Sequence, residues 1–267
     1  EGSAIAYFLL TFVASWVLWT IAANLDRPAM AQAVFLLGTF MPGILALALT
    51  FKNQGESGCK ELLGRIVKVH LDWRWYLFAI GYIPALKLLA AGMHKVLTGV
   101  WPRFGETPLV LMLAAMLIST WAQAGEEIGW RGYALPRMST RLGLGPASIL
   151  LGIIWGIWHY PLFFYPGADV HGQSLAFYVA QVTALSVAMA WLYWRTNGSL
   201  FIVMLLHAAA NNLKDIAPSA VTKPGDVFFA GGSLMGWIGL SALWLCAGLF
   251  LYQMRHVTVI DAGKPAS

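Results

Sequence analysis

Long apolar stretches separated by short polar ones dominate this chain. A helix that crosses a bilayer needs about 20 mostly apolar residues. Eight stretches approach that length, at roughly 4–25, 30–51, 73–97, 107–130, 145–165, 174–194, 199–214 and 230–254. The pattern predicts an all-α, polytopic membrane bundle of about eight transmembrane helices. The seventh stretch is short for a span and turns polar at its end. No linker divides blocks of different composition, and no repeat with a 20–50 residue period is visible. Residues 1–267 therefore read as a single integral membrane domain.

Segment 59–71 differs. Its apolar residues recur at Leu62, Leu63, Ile66, Val67 and Val69, among the charges of Lys60, Glu61, Arg65 and Lys68. That amphipathic spacing predicts a short helix lying on the membrane surface.

Composition agrees with the pattern. Charged residues make up 11% of the chain and hydrophobic ones 59%, with mean hydropathy +0.67. A soluble protein carries about 25% charged residues, so this chain lacks the charge to solvate a surface. The formal charge is +5, but no basic stripe interleaved with aromatics accompanies it, so nucleic acid is not an expected partner. Membrane lipids are. If all eight stretches span, one side receives Lys52, Lys60, Arg65, Lys68, Arg137, Arg141, Arg195, Arg255 and Lys264. The other receives Arg27, Lys95, Arg103, Lys214 and Lys223. The positive-inside rule then puts both termini in the cytoplasm. Richness in Ala, Trp and Arg suggests a bacterial or archaeal plasma membrane. Trp73, Trp75, Trp101, Trp191 and Trp194 fall near span ends, as interfacial anchors do. Cys59 and Cys246 show no metal-ligand spacing, and the terminal Lys264-Pro265-Ala266-Ser267 is no prenylation box.

Ionisable residues inside spans are costly and mark function. The fourth stretch ends Gly125-Glu126-Glu127-Ile128-Gly129-Trp130-Arg131, the fifth holds Trp155-Gly156-Ile157-Trp158-His159, and the seventh holds His207-Ala208-Ala209-Ala210-Asn211. Neighbouring helical residues point about 100° apart, so Glu126 and Glu127 face different ways. Glu127 and Arg131 are spaced i,i+4 with the acid first, the favourable order for an ion pair. Glu126 has no partner on its own helix, and an unpartnered carboxylate away from bulk water suits a general base. His207 and Asn211 share a helical face, separated by alanines that let helices approach closely. Both can donate hydrogen bonds to an oxyanion. His159 precedes Pro161, which loosens the backbone beside it. The plainer alternative for each group is a packed, hydrogen-bonded residue, and Lys87 and His94 read that way.

No Gly-x-Ser-x-Gly elbow is present, which points to water as nucleophile. Glu126 would take its proton, His159 would help to hold it, and His207 and Asn211 would bind the oxyanion. Two histidines and a glutamate can instead hold zinc with one open position. The ligands would be Glu126, His159 and His207, although no His-Glu-x-x-His motif occurs. No cofactor is favoured.

Glu126-Glu127-x-x-x-Arg131, Trp155-x-x-x-His159 and His207-x-x-x-Asn211, in that order, resemble the motifs of the CPBP intramembrane proteases, also called Abi proteins. That family includes the type II CAAX prenyl endopeptidases and proteins linked to bacteriocin processing and self-immunity. The motif-bearing stretch, about 107–214, covers some 40% of the chain. The resemblance implies about eight helices and an intramembrane endopeptidase acting on a peptide or lipidated protein substrate. Type II CAAX enzymes of this kind remove the last three residues after a prenylated cysteine. Carried over, Glu126 and His159 activate water, His207 and Asn211 form the oxyanion site, and Glu127 and Arg131 support them. The second motif usually has Phe where this chain has Trp155. Glutamate-type catalysis is favoured over a metalloprotease. A proton-coupled transporter or a non-catalytic immunity or scaffold protein are the alternatives. Simple counting puts Glu126 near one end of its span and His207 near the middle of its own, so convergence requires tilted or longer helices.

Overall fold

The computed structural model describes residues 2–165, 167–218 and 233–257. Residues 230–232 of the eighth stretch, Lys223, Lys264 and the terminal tetrapeptide lie outside them. Among the described residues the regular structure is all helical, without strands: α1 (Gly2–Ala23), α2 (Pro28–Gly64), α3 (Trp73–Thr98), α4 (Leu109–Thr120), α5 (Ala124–Glu127), a π-helical segment (Ile128–Ala134), α6 (Leu135–Leu142), α7 (Leu144–Trp158), α8 (Leu175–Arg195), α9 (Leu200–Asn212) and α10 (Leu234–Met254), with short 3₁₀ turns at Tyr160–Phe164 and Lys214–Ile216. The protein is a multi-pass integral membrane bundle. Among the described residues six helices are long and apolar enough to cross a bilayer, and the bent α4–α6 unit makes a seventh if it counts as one span.

Two sequence expectations change. The fourth stretch does not end at 130. After a 41° bend at residues 121–123, helix resumes and runs on to Leu142. Charges at 126, 127 and 131 imitate a span end, yet all three side chains are buried, so the hydropathy dip marks an interior site. The seventh stretch is the 13-residue α9. At 1.5 Å per residue it covers about 20 Å, less than the roughly 30 Å of a hydrocarbon core. It survives because α3, α4 and α8 wrap it, and every residue from Ile202 to Ala209 is buried.

Segment 59–71 is only partly the predicted surface helix. Helix α2 breaks at Gly55, whose φ of 66° an L side chain rarely adopts, and resumes to Gly64. Leu62 packs inward while Val67 is 70% exposed. Arg65 Nη1 donates to Tyr193 Oη at 2.8 Å, and Lys68 Nζ to the Asn197 carbonyl at 2.7 Å. The segment thus clasps the α8–α9 turn.

Lipid replaces water as the outer solvent, so polarity is inverted. Ile5, Val13, Val96, Ile118 and Leu245 are each more than 60% exposed, whereas Glu126, Glu127, Arg131 and His207 are inside. Small residues permit the close helix contacts. A Cβ on Gly152 would lie 2.6 Å from Thr183 Cα, and one on Gly129 would press on Tyr7 Oη and lie 2.6 Å from the Pro42 carbonyl oxygen. Gly152 therefore seats α7 on α8, and Gly129 seats the π segment on α1 and α2.

Candidate active site

The extended fourth element moves Glu126 away from a helix end. Glu126 lies at the middle of the bent unit that runs from Leu109 to Leu142.

Glu126 and Glu127 occupy the last turn before the π segment. A π turn shifts the hydrogen-bond register to i→i+5, and such turns cluster at functional sites. The i,i+4 expectation for Glu127 and Arg131 is met. Arg131 Nη1 donates to Glu127 Oε1 at 2.8 Å and to Oε2 at 3.0 Å, with both side chains fully buried. The His207 imidazole, 80 residues on, donates from Nδ1 to Glu127 Oε1 at 2.8 Å. Glu127 thus joins α9 to the π segment. With Nδ1 committed to a carboxylate, Nε2 of His207 can donate only from the imidazolium form.

Glu126 is 7% exposed. Contrary to the reading of it as unpartnered, Oε2 accepts a hydrogen bond from Trp155 Nε1 at 2.7 Å. Oε1 is the oxygen left for a reacting proton. His159 stands at the end of α7, where Pro161 stops the α-helix and a 3₁₀ turn follows. There the His159 backbone N–H bonds to the Gly156 carbonyl instead of that of Trp155. The freed Trp155 carbonyl accepts from His159 Nδ1 at 2.8 Å. In the neutral ring this fixes the tautomer and leaves Nε2 as an acceptor. His159 is half-buried, flanked edge-on by Trp158 and Tyr178.

Trp155 is the residue that sequence reasoning missed. It was read as an aromatic variant of a motif position, but its indole touches most of the set. Besides Glu126, the guanidinium carbon of Arg131 lies 4.3 Å from the ring centroid. The His207 ring meets it in a T-shaped contact at 5.1 Å. The available signal was that Trp, unlike Phe, carries an N–H that needs a partner when buried.

Asn211 is brought in least. It follows His207 by one turn but is exposed, and among the described residues no hydrogen bond links its side chain to the others. Its neighbour Asn212 instead ties α9 to α4, donating to Ser119 Oγ at 2.8 Å. Lys87 lies in the field of Asp215 and Lys214. His94 bonds within the exposed end of α3.

The donors do not present a ready metal set. Among the described residues no three His, Cys, Asp or Glu side chains group closely enough to hold one ion. One oxygen of Glu126 and one nitrogen of each histidine are already bonded to the protein.

A family model described as type II CAAX prenyl endopeptidase, Rce1-like, matches residues 106–213. That stretch contains Glu126, Glu127, Arg131, Trp155, His159, His207 and Asn211. A CAAX prenyl protease 2 from Methanococcus maripaludis is 26% identical over 243 residues, which cover 84% of this chain and 88% of that protein.

Proposed function

We propose, on the premise that this chain belongs to the Rce1-like family of type II CAAX prenyl endopeptidases, that it cuts a peptide bond within the membrane with water activated by Glu126 and His159. The observation that carries this reading is that Trp155 binds both groups, its Nε1 donating to Glu126 Oε2 and its carbonyl accepting from His159 Nδ1, while among the described residues no hydrogen bond takes Glu126 Oε1 or His159 Nε2.

Water bound between them gives a proton to Glu126 Oε1 as its oxygen attacks the scissile carbonyl carbon. His159 Nε2 accepts the second water hydrogen and aims the lone pair. The carbonyl oxygen becomes an oxyanion, which His207 Nε2–H and the Asn211 amide receive. Arg131 orients Glu127, and the Glu127 carboxylate holds His207 in place through Nδ1. Glu126 then returns its proton to the leaving amine as the C–N bond breaks. Free acid and free amine result, and the carboxylate is regenerated. Asn211 reaches the substrate from its exposed position without a bond to the rest of the site.

The substrate is a membrane-held protein with a prenylated cysteine near its C-terminus, and the products are the shortened protein and a tripeptide. No metal takes part. Purified protein should cleave a farnesylated CAAX peptide at the same rate with and without chelator, and Glu126→Gln should not cleave it. Loss of wild-type activity in chelator, restored by zinc, contradicts the glutamate mechanism.

Both termini lie in the cytoplasm. Lys60, Arg65, Lys68, Arg137, Arg141, Arg195 and Arg255 gather at the end of the bundle where Lys68 meets Asn197 and Leu144 meets Val257. The opposite end, where Gly105 meets Ile216, holds Arg27, Lys95, Arg103 and Lys214. Reporter fusions at the C-terminus and in the 165–174 loop should report opposite sides.

A further inference from the structure

We propose that Trp155 is a positioning residue that selects the reacting oxygen of Glu126 and keeps the Arg131 cation on Glu127; this rests on the reading of Glu126 as the base. Four polar site groups converge on this one side chain and its carbonyl. Nε1 donates to Glu126 Oε2 at 2.7 Å. The ring face lies under the Arg131 guanidinium, 4.3 Å from Cζ to centroid. The ring meets His207 at 5.1 Å, and the backbone carbonyl accepts from His159 Nδ1 at 2.8 Å. At 2% exposure, the indole cannot exchange these contacts for water.

A carboxylate with both oxygens free rotates and offers either one. With Oε2 held by a charge-assisted hydrogen bond, the plane is fixed and Oε1 alone faces the water. The donor is neutral, which matters as much. Arg131 uses Nη1 for Glu127, while its Nε and Nη2 are buried and have no hydrogen-bond partner among the described residues. Against the indole face, the guanidinium gains a cation–π contact in place of those bonds. A guanidinium that reached Glu126 would neutralise the base. The indole therefore separates two adjacent carboxylates into different roles: it gives one a neutral N–H and leaves the cation to the other.

The test replaces Trp155 in the full-length protein in two ways. Trp155→Phe removes the donor and part of the ring. Benzothienylalanine at position 155 keeps the fused ring and removes only the N–H. Each is assayed on the farnesylated peptide at equal folded fraction, beside Glu126→Gln. Loss of one charge-assisted hydrogen bond predicts that kcat falls about ten- to hundredfold in both Trp155 variants, with KM within about twofold. A benzothienyl variant at wild-type kcat overturns the proposal, and so does a loss confined to KM or to the folded fraction. Wild-type activity in Glu126→Gln overturns the underlying mechanism instead. An inactive Glu126→Gln beside a fully active benzothienyl variant overturns the Trp155 role alone.

Discussion

Glu126 and Glu127 are adjacent in sequence, yet their surroundings have little in common. Glu127 is completely buried, with both oxygens on Arg131 and one also on His207. Glu126 retains slight exposure and meets one neutral donor. The 100° step of a helix aims one carboxylate at α9 and the other at α7. The first has its charge neutralised by fixed partners and works as a strut. The second keeps an oxygen available and can do chemistry. Identical side chains thus meet different partners because they point in different directions.

Substitutions can break this comparison, and the largest effect is expected at Glu126, the base we propose. Glu126→Gln keeps the Trp155 contact and removes the base, so cleavage should fall by about 10²–10⁴-fold while the unfolding midpoint stays put. The strut behaves in reverse. Glu127→Ala leaves Arg131 buried without its carboxylate, which should cost roughly 3–5 kcal/mol of stability, read as a lowered midpoint in detergent. Activity falls as well, because His207 loses its anchor.

Asn211→Ala and His207→Ala should each lower kcat by about 10²–10³-fold with little change in KM, as expected for a lost oxyanion donor. His207→Ala should also lower the unfolding midpoint and Asn211→Ala should not, since only the histidine is built into the buried network. Gly129→Ala forces a methyl against Tyr7 Oη and the Pro42 carbonyl and should destabilise by about 1–3 kcal/mol. The smallest effect is expected for Asn212→Ala. It removes the hydrogen bond to Ser119, of a kind that averages about 0.6 kcal/mol between membrane helices, and leaves kcat unchanged.

Much of this was readable from local spacing. The apolar runs gave the class of fold, and the i,i+4 rule gave the Glu127–Arg131 pair. What spacing could not show was any contact made across the bundle. The His207–Glu127 bond joins residues 80 apart, and the Trp155–Glu126 bond joins residues 29 apart. Glu126 looked unpartnered because its partner sits on another helix. The end of the fourth span was misplaced for the same reason: a buried ion pair has the hydropathy of a surface, and only packing distinguishes them. Helix α9 looked like a marginal span because length criteria assume lipid on the outside, whereas its neighbours are protein. The exposure of Asn211 had no signal in sequence, since i,i+4 spacing fixes a face and not how far that face is covered.

The central claim is that Glu126 acts and Glu127 supports. Turnover per folded molecule, measured on one prenylated peptide for Glu126→Gln and Glu127→Gln alongside their unfolding midpoints, tests it most directly. The account predicts a Glu126→Gln protein as stable as wild type that does not turn over, and a Glu127→Gln protein that is clearly less stable. A stable Glu126→Gln protein that cleaves at the wild-type rate contradicts it.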